Sequence, residues 1–79
     1  MPATRSQAAQ ILGERVRARR TELGLSLEAA APLVGLHWSA LGQVERGQRN
    51  ISLHNLLKVA KGLSIDPGDL VGGLEPPPS

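Results

Sequence analysis

Trp38 is the only Phe, Tyr or Trp in this chain of 79 residues, and that scarcity constrains the fold more than any other feature. A core without aromatic rings has to be filled with Leu, Ile, Val and Ala. Leu and Ala are strong helix formers, whereas strands draw on β-branched and aromatic side chains. The composition therefore points to an all-α domain of packed helices. The length corresponds to one domain, and a chain of this size buries only about 60% of its unfolded surface, so the core is small. There is no cysteine, so no disulfide staples the fold and no thiolate can serve as nucleophile or metal ligand. This fits a cytoplasmic protein. No apolar run approaches the roughly 20 residues of a membrane span. Residues 1–10 are polar and lack a signal-peptide core, so no membrane partner is expected.

Apolar periodicity and its punctuation predict five helices within residues 5–74, with a flexible N-terminus at 1–4 and a Pro-rich, disordered tail at 75–79. The first helix is expected from Arg5 to Leu23, opened by Thr4 with Gln7 in the pattern of a capping box. Leu12, Val16 and Leu23 share one face, Arg20 falls on that same face, and Gly24 supplies a C-terminal stop. Ser26 is a good N-cap for the second helix, whose Leu27, Ala30, Ala31 and Val34 follow the spacing of a buried stripe. Pro32 should leave this helix short or bent, because it removes a hydrogen bond and crowds the preceding turn. Gly35 ends it. The third helix is expected from His37 or Trp38 to Arg46, with Leu41 and Val44 facing inward. Gly42 weakens it by about 1 kcal/mol relative to alanine. Ser52 caps a fourth helix carrying Leu53, Leu56, Leu57, Ala60 and Leu63 on its apolar side. Asp66-Pro67-Gly68-Asp69 opens a fifth through Leu70, Val71 and Leu74, with an acidic cap and proline at the first helical position. No internal repeat and no period-two strand pattern is present.

The net charge is +2, but its distribution is uneven. Arg5, Arg15, Arg17, Arg19 and Arg20 crowd the first quarter, and Arg46 and Arg49 sit near the middle. The acids after Glu45 are Asp66, Asp69 and Glu75. Basic clustering suits a polyanionic partner, although solvated arginines on a helix face would give the same pattern.

Residues 26–46 hold two short helices joined by a tight, glycine-containing turn, with small residues Ala30 and Ala31 where the helices must approach. This is the spacing of a helix-turn-helix, whose second helix enters the DNA major groove. More specific is the series Leu23-Gly24-Leu25-Ser26, Ala31 with Gly35, Leu41, and Val44-Glu45-Arg46-Gly47-Gln48-Arg49-Asn50-Ile51-Ser52, followed by the apolar run at 56–63. These residues resemble the Cro/C1-type (XRE) helix-turn-helix family, which includes phage repressors and the controller proteins of restriction–modification systems. The resemblance covers about residues 11–74. It implies a compact five-helix, lambda-repressor-like domain that binds double-stranded DNA as a dimer.

The resemblance also implies roles for particular residues. Base-reading positions fall on Trp38, Ser39 and Gln43, with His37 at the groove edge. Gln can bond an adenine edge and Ser is versatile. Trp38 departs from the polar residue more usual there: the indole can meet a thymine methyl or a sugar, form a protein interface, or pack. Phosphate contacts fall on Gln48, Arg49, Asn50 and Ser52, with Arg17 and Arg46 as additions, each arginine alternatively a solvated charge. Leu27 is a second departure, since many relatives place a phosphate-binding Gln there. Arg20 on the apolar face of the first helix and Glu45 beside the Leu41/Val44 stripe are placed to form a buried ion pair, and the family implies the same pairing. Leu56, Leu57 and Val59 with Leu63, Leu70, Val71 and Leu74 offer more apolar surface than two short helices bury internally, and are expected to form a two-fold dimer interface.

Other chemistry is thin. His37 and His54 are the only histidines, on different helices and with no acid at ligand spacing, so no metal site is expected. No catalytic triad, phosphate-binding glycine loop or cofactor motif is present, and the chain is not expected to be an enzyme. The expected function is a sequence-specific, homodimeric transcriptional regulator of an inverted-repeat operator, either a restriction–modification controller or a phage-type repressor, acting in the cytoplasm of a bacterium or for a phage. The alternative is an antitoxin or adaptor that uses the same fold to hold a protein partner.

Overall fold

The computed structural model describes residues 6–77, and among these it contains five helices and no strand. They are α1 (Gln7–Glu22), α2 (Leu27–Val34), α3 (Trp38–Glu45), α4 (Leu53–Gly62) and α5 (Pro67–Val71). Each starts at a side chain that accepts a hydrogen bond from a first-turn N–H: Ser6, Ser26, His37, Ser52 and Asp66. Such caps satisfy donors that the helix itself cannot, each contributing about 1 kcal/mol.

The start of α1 differs from expectation. Ser6 Oγ accepts the Ala9 N–H at 3.0 Å, so the cap lies at Ser6, and the expected cap at Thr4 and start at Arg5 lie outside the described residues. At the other end Leu23 is the C-cap and is exposed. The buried stripe of α1 is Ala9, Leu12 and Val16, not a run that continues to Leu23. α2 is short, as Pro32 suggested, yet it continues through the proline to Val34. Pro32 falls on an exposed position, where water can serve the carbonyl its missing N–H leaves free.

The core draws on every helix: Leu12 and Val16 of α1, Ala30 and Val34 of α2, Leu41 and Val44 of α3, Leu56, Val59 and Ala60 of α4 with Leu63 at its end, and Leu70 of α5. Leu25, Leu27, Leu36, Ile51, Ile65 and Leu74 pack around it from the connections and edges. Two glycines set how closely the helices cross. A Cβ on Gly13 would stand against the backbone carbonyls of Val44 and Glu45, 2.5 Å from the latter. One on Gly62 would run into the carbonyl of Leu33, 2.8 Å from Val34 Cα. α1 therefore lies backbone-to-backbone on the end of α3, and α4 on the end of α2.

The apolar side of α4 is narrower than its sequence pattern suggested. Leu56, Val59, Ala60 and Leu63 are buried, but Leu53 is 70% and Leu57 is 47% exposed. Leu53 and Leu57 are four residues apart and form one exposed apolar edge. α5 ends at Val71, and Leu74 follows it in a turn closed by the Leu74 N–H to the Val71 carbonyl at 3.1 Å.

Candidate nucleic-acid interface

α2 and α3 are joined by Gly35, Leu36 and His37. Gly35 takes the left-handed conformation (φ 72°), and both its N–H and that of Leu36 return to the Ala31 carbonyl, at 2.9 and 3.2 Å. That closes α2 and turns the chain at once into α3, because only glycine adopts this conformation at low cost. Ala30 and Ala31 are buried where the two helices meet. α3 buries Leu41, Gly42, Val44 and Glu45 and leaves Trp38, Ser39 and Gln43 exposed. The expected base-reading residues thus lie on the outer side of the second helix. Leu27, which stands where a polar residue was noted as usual, packs against the core and lies over Gly42.

The first turn of α3 is organised by His37. Its Nδ1 accepts the Ser39 N–H at 3.2 Å, and Ser39 Oγ lies 2.8 Å from the same nitrogen. A backbone N–H can only donate, so Nδ1 is the acceptor of this cap. The Ser39 hydroxyl shares that nitrogen and is engaged within the protein. The imidazole also lies against the Trp38 indole, with ring centroids 5.6 Å apart and planes inclined at 32°.

The arginines separate into two groups. Arg15 Nη1 donates to the carbonyls of Leu70 (3.1 Å) and Gly72 (2.8 Å) at the end of α5. Arg19 Nε and Nη2 donate to the carbonyls of Leu63 (2.8 Å) and Ser64 (3.0 Å) at the end of α4, while its Nη1 meets Glu22. These helix ends have carbonyls without intrahelical donors, and a cation there also complements the helix dipole. Arg20 pairs with Glu45 through two hydrogen bonds, Nε to Oε2 at 2.6 Å and Nη2 to Oε1 at 2.9 Å, and donates a third to the Leu25 carbonyl at 2.8 Å. The hydrogen bonds it donates to Glu45 hold the Arg20 guanidinium above its ordinary pKa, against the opposing effect of desolvation. Much of the basic cluster in the first quarter therefore braces the fold. Arg17 and Arg49 form the second group: both are exposed, and neither side chain has a partner among the described residues. Arg17 lies on the stripe of α1 that carries Gln10, Gly13 and Arg20, which meet Gly47, the end of α3 and Glu45. Arg49 shares a small hollow with Asn50, Ser52 and Asn55 at the start of α4. Ser52 Oγ takes the Asn55 N–H at 3.0 Å, leaving earlier N–H groups of that turn without an intrahelical acceptor. Arg46 and Gln48 are joined, Nε to Oε1 at 3.3 Å.

The expected dimer residues do not form one surface. Leu56, Val59, Leu63 and Leu70 lie at or below 9% exposure in the single chain. They complete its core and leave little area for a partner. Leu57 and Val71 remain exposed, and Leu74 is half-buried.

Among the described residues, no three His, Cys, Asp or Glu side chains come together as a metal site, and no helix is long and apolar enough to cross a membrane. Among the described residues, Glu75 is the one carboxyl or histidine side chain lining a cleft between the start of α1 and residues 73–77.

Comparison with known proteins agrees with this geometry. The Helix-turn-helix family model matches residues 16–70. The chain is 44% identical over 55 residues to the control protein C.SmaI of Serratia marcescens, covering 70% of this chain and 66% of that protein. The crystal structure of the restriction–modification controller protein C.AhdI from Aeromonas hydrophila superposes with a TM-score of 0.76 at 52% identity, covering 78% of this chain and 94% of that one. The P22 c2 repressor, solved in complex with a synthetic operator, superposes with a TM-score of 0.74 at 38% identity, covering 81% and 97%.

Proposed function

The chain belongs to the helix-turn-helix family, as a DNA-binding transcriptional regulator of the controller and phage-repressor type, and on that premise we propose that it binds an inverted-repeat operator as a homodimer and acts by occupying it. The observation that carries this reading is the division of polar groups. Arg15, Arg19 and Arg20 are spent inside the fold, whereas Gln43, Arg17 and Arg49 stand exposed with no partner among the described residues. Gln43 is suited to bond an adenine edge in the major groove. Arg17, Arg46, Arg49, Gln48, Asn50 and the α4 N-terminus at Ser52 would grip phosphates and set register without reading sequence. Ser39 reads a base only by leaving His37.

Two copies are needed to place two α3 helices on one face of the duplex, about 34 Å apart. Of the residues expected to pair, Leu57, Val71 and Leu74 keep apolar surface for it, and Leu53 adds to the Leu57 edge. In this reading the protein works in the cytoplasm, on the DNA of a bacterium or phage. Selection from a random duplex pool tests the proposal. It should return an inverted repeat with half-sites one helical turn apart. A chain that holds all duplexes alike across a salt series would overturn it.

A further inference from the structure

We propose that Trp38 is a specificity-determining residue that detects the C5-methyl group of a pyrimidine in the major groove, with His37 holding the indole in place. The inference rests on the DNA-reading role of α3 proposed above. Trp38 is the first residue of α3 and is 48% exposed, and it is not among the side chains packed on the core. Its Nε1–H donates to no acceptor among the described residues. The largest apolar side chain of the chain thus stands outward, beside polar Ser39 and Gln43, at the end of the helix that enters the groove.

The His37 ring packs against the indole at 5.6 Å. That ring is fixed in turn, because its Nδ1 is held by the Ser39 N–H and hydroxyl. One side of the indole is therefore buttressed, and about half of the residue is open to solvent. The same contact occupies the Ser39 hydroxyl, so the first turn of α3 offers an apolar surface where a free hydroxyl would otherwise be. Among the unmodified base edges of the major groove, only thymine carries a methyl group. Cytosine gains an equivalent group only when methylated at C5. An indole at this position therefore favours thymine or 5-methylcytosine over unmodified cytosine, through burial of the methyl rather than through a hydrogen bond.

Removing one buried methyl should weaken binding about fourfold, and roughly fifteenfold for both half-sites. The experiment uses the full chain and the duplex selected from the random pool, with each thymine replaced singly by deoxyuridine, which removes only the methyl. One thymine per half-site should show the fourfold loss with the wild-type chain and none with Trp38→Ala. At that position 5-methylcytosine should bind more tightly than cytosine. Trp38 is the only tryptophan, so its fluorescence reads the same contact without any variant. Emission should move to shorter wavelength on the thymine duplex and less so on the deoxyuridine duplex. If a specific duplex is selected but no deoxyuridine position matters, or wild type and Trp38→Ala lose equally, methyl sensing is wrong while DNA reading stands. Trp38 emission that follows protein concentration and ignores DNA makes the indole a protein contact and also overturns the proposal. If no specific duplex is selected at all, the proposal fails together with the reading beneath it.

Discussion

Arg20 of α1 grips Glu45 of α3 through two parallel hydrogen bonds, with only 11% and 5% of their side chains exposed. Glu45 is the one buried charged residue among those described, and the third Arg20 bond, to Leu25, ties the α1–α2 connection to the same point. Removing either partner leaves a desolvated charge. Arg20→Met or Glu45→Leu should each cost about 3–5 kcal/mol in urea unfolding, and the double variant should cost clearly less than their sum. Equal stability of both single variants and wild type would contradict the role given to the pair.

The glycine crossings should tolerate no side chain. Gly13→Ala and Gly62→Ala each drive a methyl into backbone carbonyls, which cannot swing aside as a flexible side chain would. Each should cost about 1–3 kcal/mol or more and lower the thermal midpoint accordingly. Gly42→Ala meets the flexible ends of Arg46 and Leu27 instead. It gains helix propensity and should be close to neutral, and a loss as large as that of Gly13→Ala would show the crossings are not special.

Ser64 stands in the left-handed region (φ 55°) at the end of α4, a place that favours glycine. Its N–H returns to Lys61 and that of Ile65 to Ala60, at 3.1 and 2.9 Å. Relief of this conformation should make Ser64→Gly more stable by about 0.5 kcal/mol, since the Cβ penalty slightly exceeds the entropy glycine adds to the unfolded chain. Calorimetry on the two proteins measures it, and a lower midpoint for the variant would refute it.

The two groups of arginines should behave oppositely in solution. Arg15→Ala and Arg19→Ala remove donors from helix-end carbonyls and should lower stability by about 1–2 kcal/mol each, with the salt dependence of DNA binding unchanged. Arg49→Ala and Arg17→Ala should leave stability alone, weaken binding on all sequences, and reduce the salt slope by about one per protomer. Gln43→Ala should cost about 1–3 kcal/mol on the preferred duplex and little on unrelated DNA. Gel shifts over a salt series, paired with thermal melts, separate these outcomes.

Pairing of two chains should depend on the exposed edge of α4. Leu57→Glu places a charge where the core is not disturbed, so the variant should stay folded yet sediment as a monomer at micromolar concentration. An unaltered dimer would move the interface elsewhere.

Much of the scaffold was legible because its signals are local. Ser26, Ser52 and Asp66 cap helices with their own side chains, and the left-handed stops after α1, α2 and α3 fall on glycines. Arg20 and Glu45 could be paired because a charge on an apolar face needs a partner. What escaped the sequence was set by backbone atoms or by neighbours distant in the chain. The acceptors of Arg15 and Arg19 are carbonyls, which carry no residue signature, so these arginines read as available charge. Gly13 and Gly62 drew no notice, since nothing local marks a close crossing. His37 is an uncommon cap and was read as a groove residue or the first residue of the helix. The helical period also could not tell the middle of an apolar face from its edge, which is why Leu56 and Leu57 were grouped though only one is buried.

The attachments of α3 all lie on its inner side and at its ends: Leu41 and Val44 in the core, Glu45 held by Arg20, and Gly13 beneath the last turn. Trp38 touches the His37 ring, and neither it nor Gln43 makes a side-chain hydrogen bond among the described residues. The outward row is therefore open to recoding. Libraries randomised at these two positions should yield folded proteins almost throughout, because exposed substitutions of this kind usually shift stability by no more than about 0.5 kcal/mol. His37 and Ser39 would be kept as a unit, since together they start the helix. Selection on such a library could change the operator while the frame that presents it stays the same.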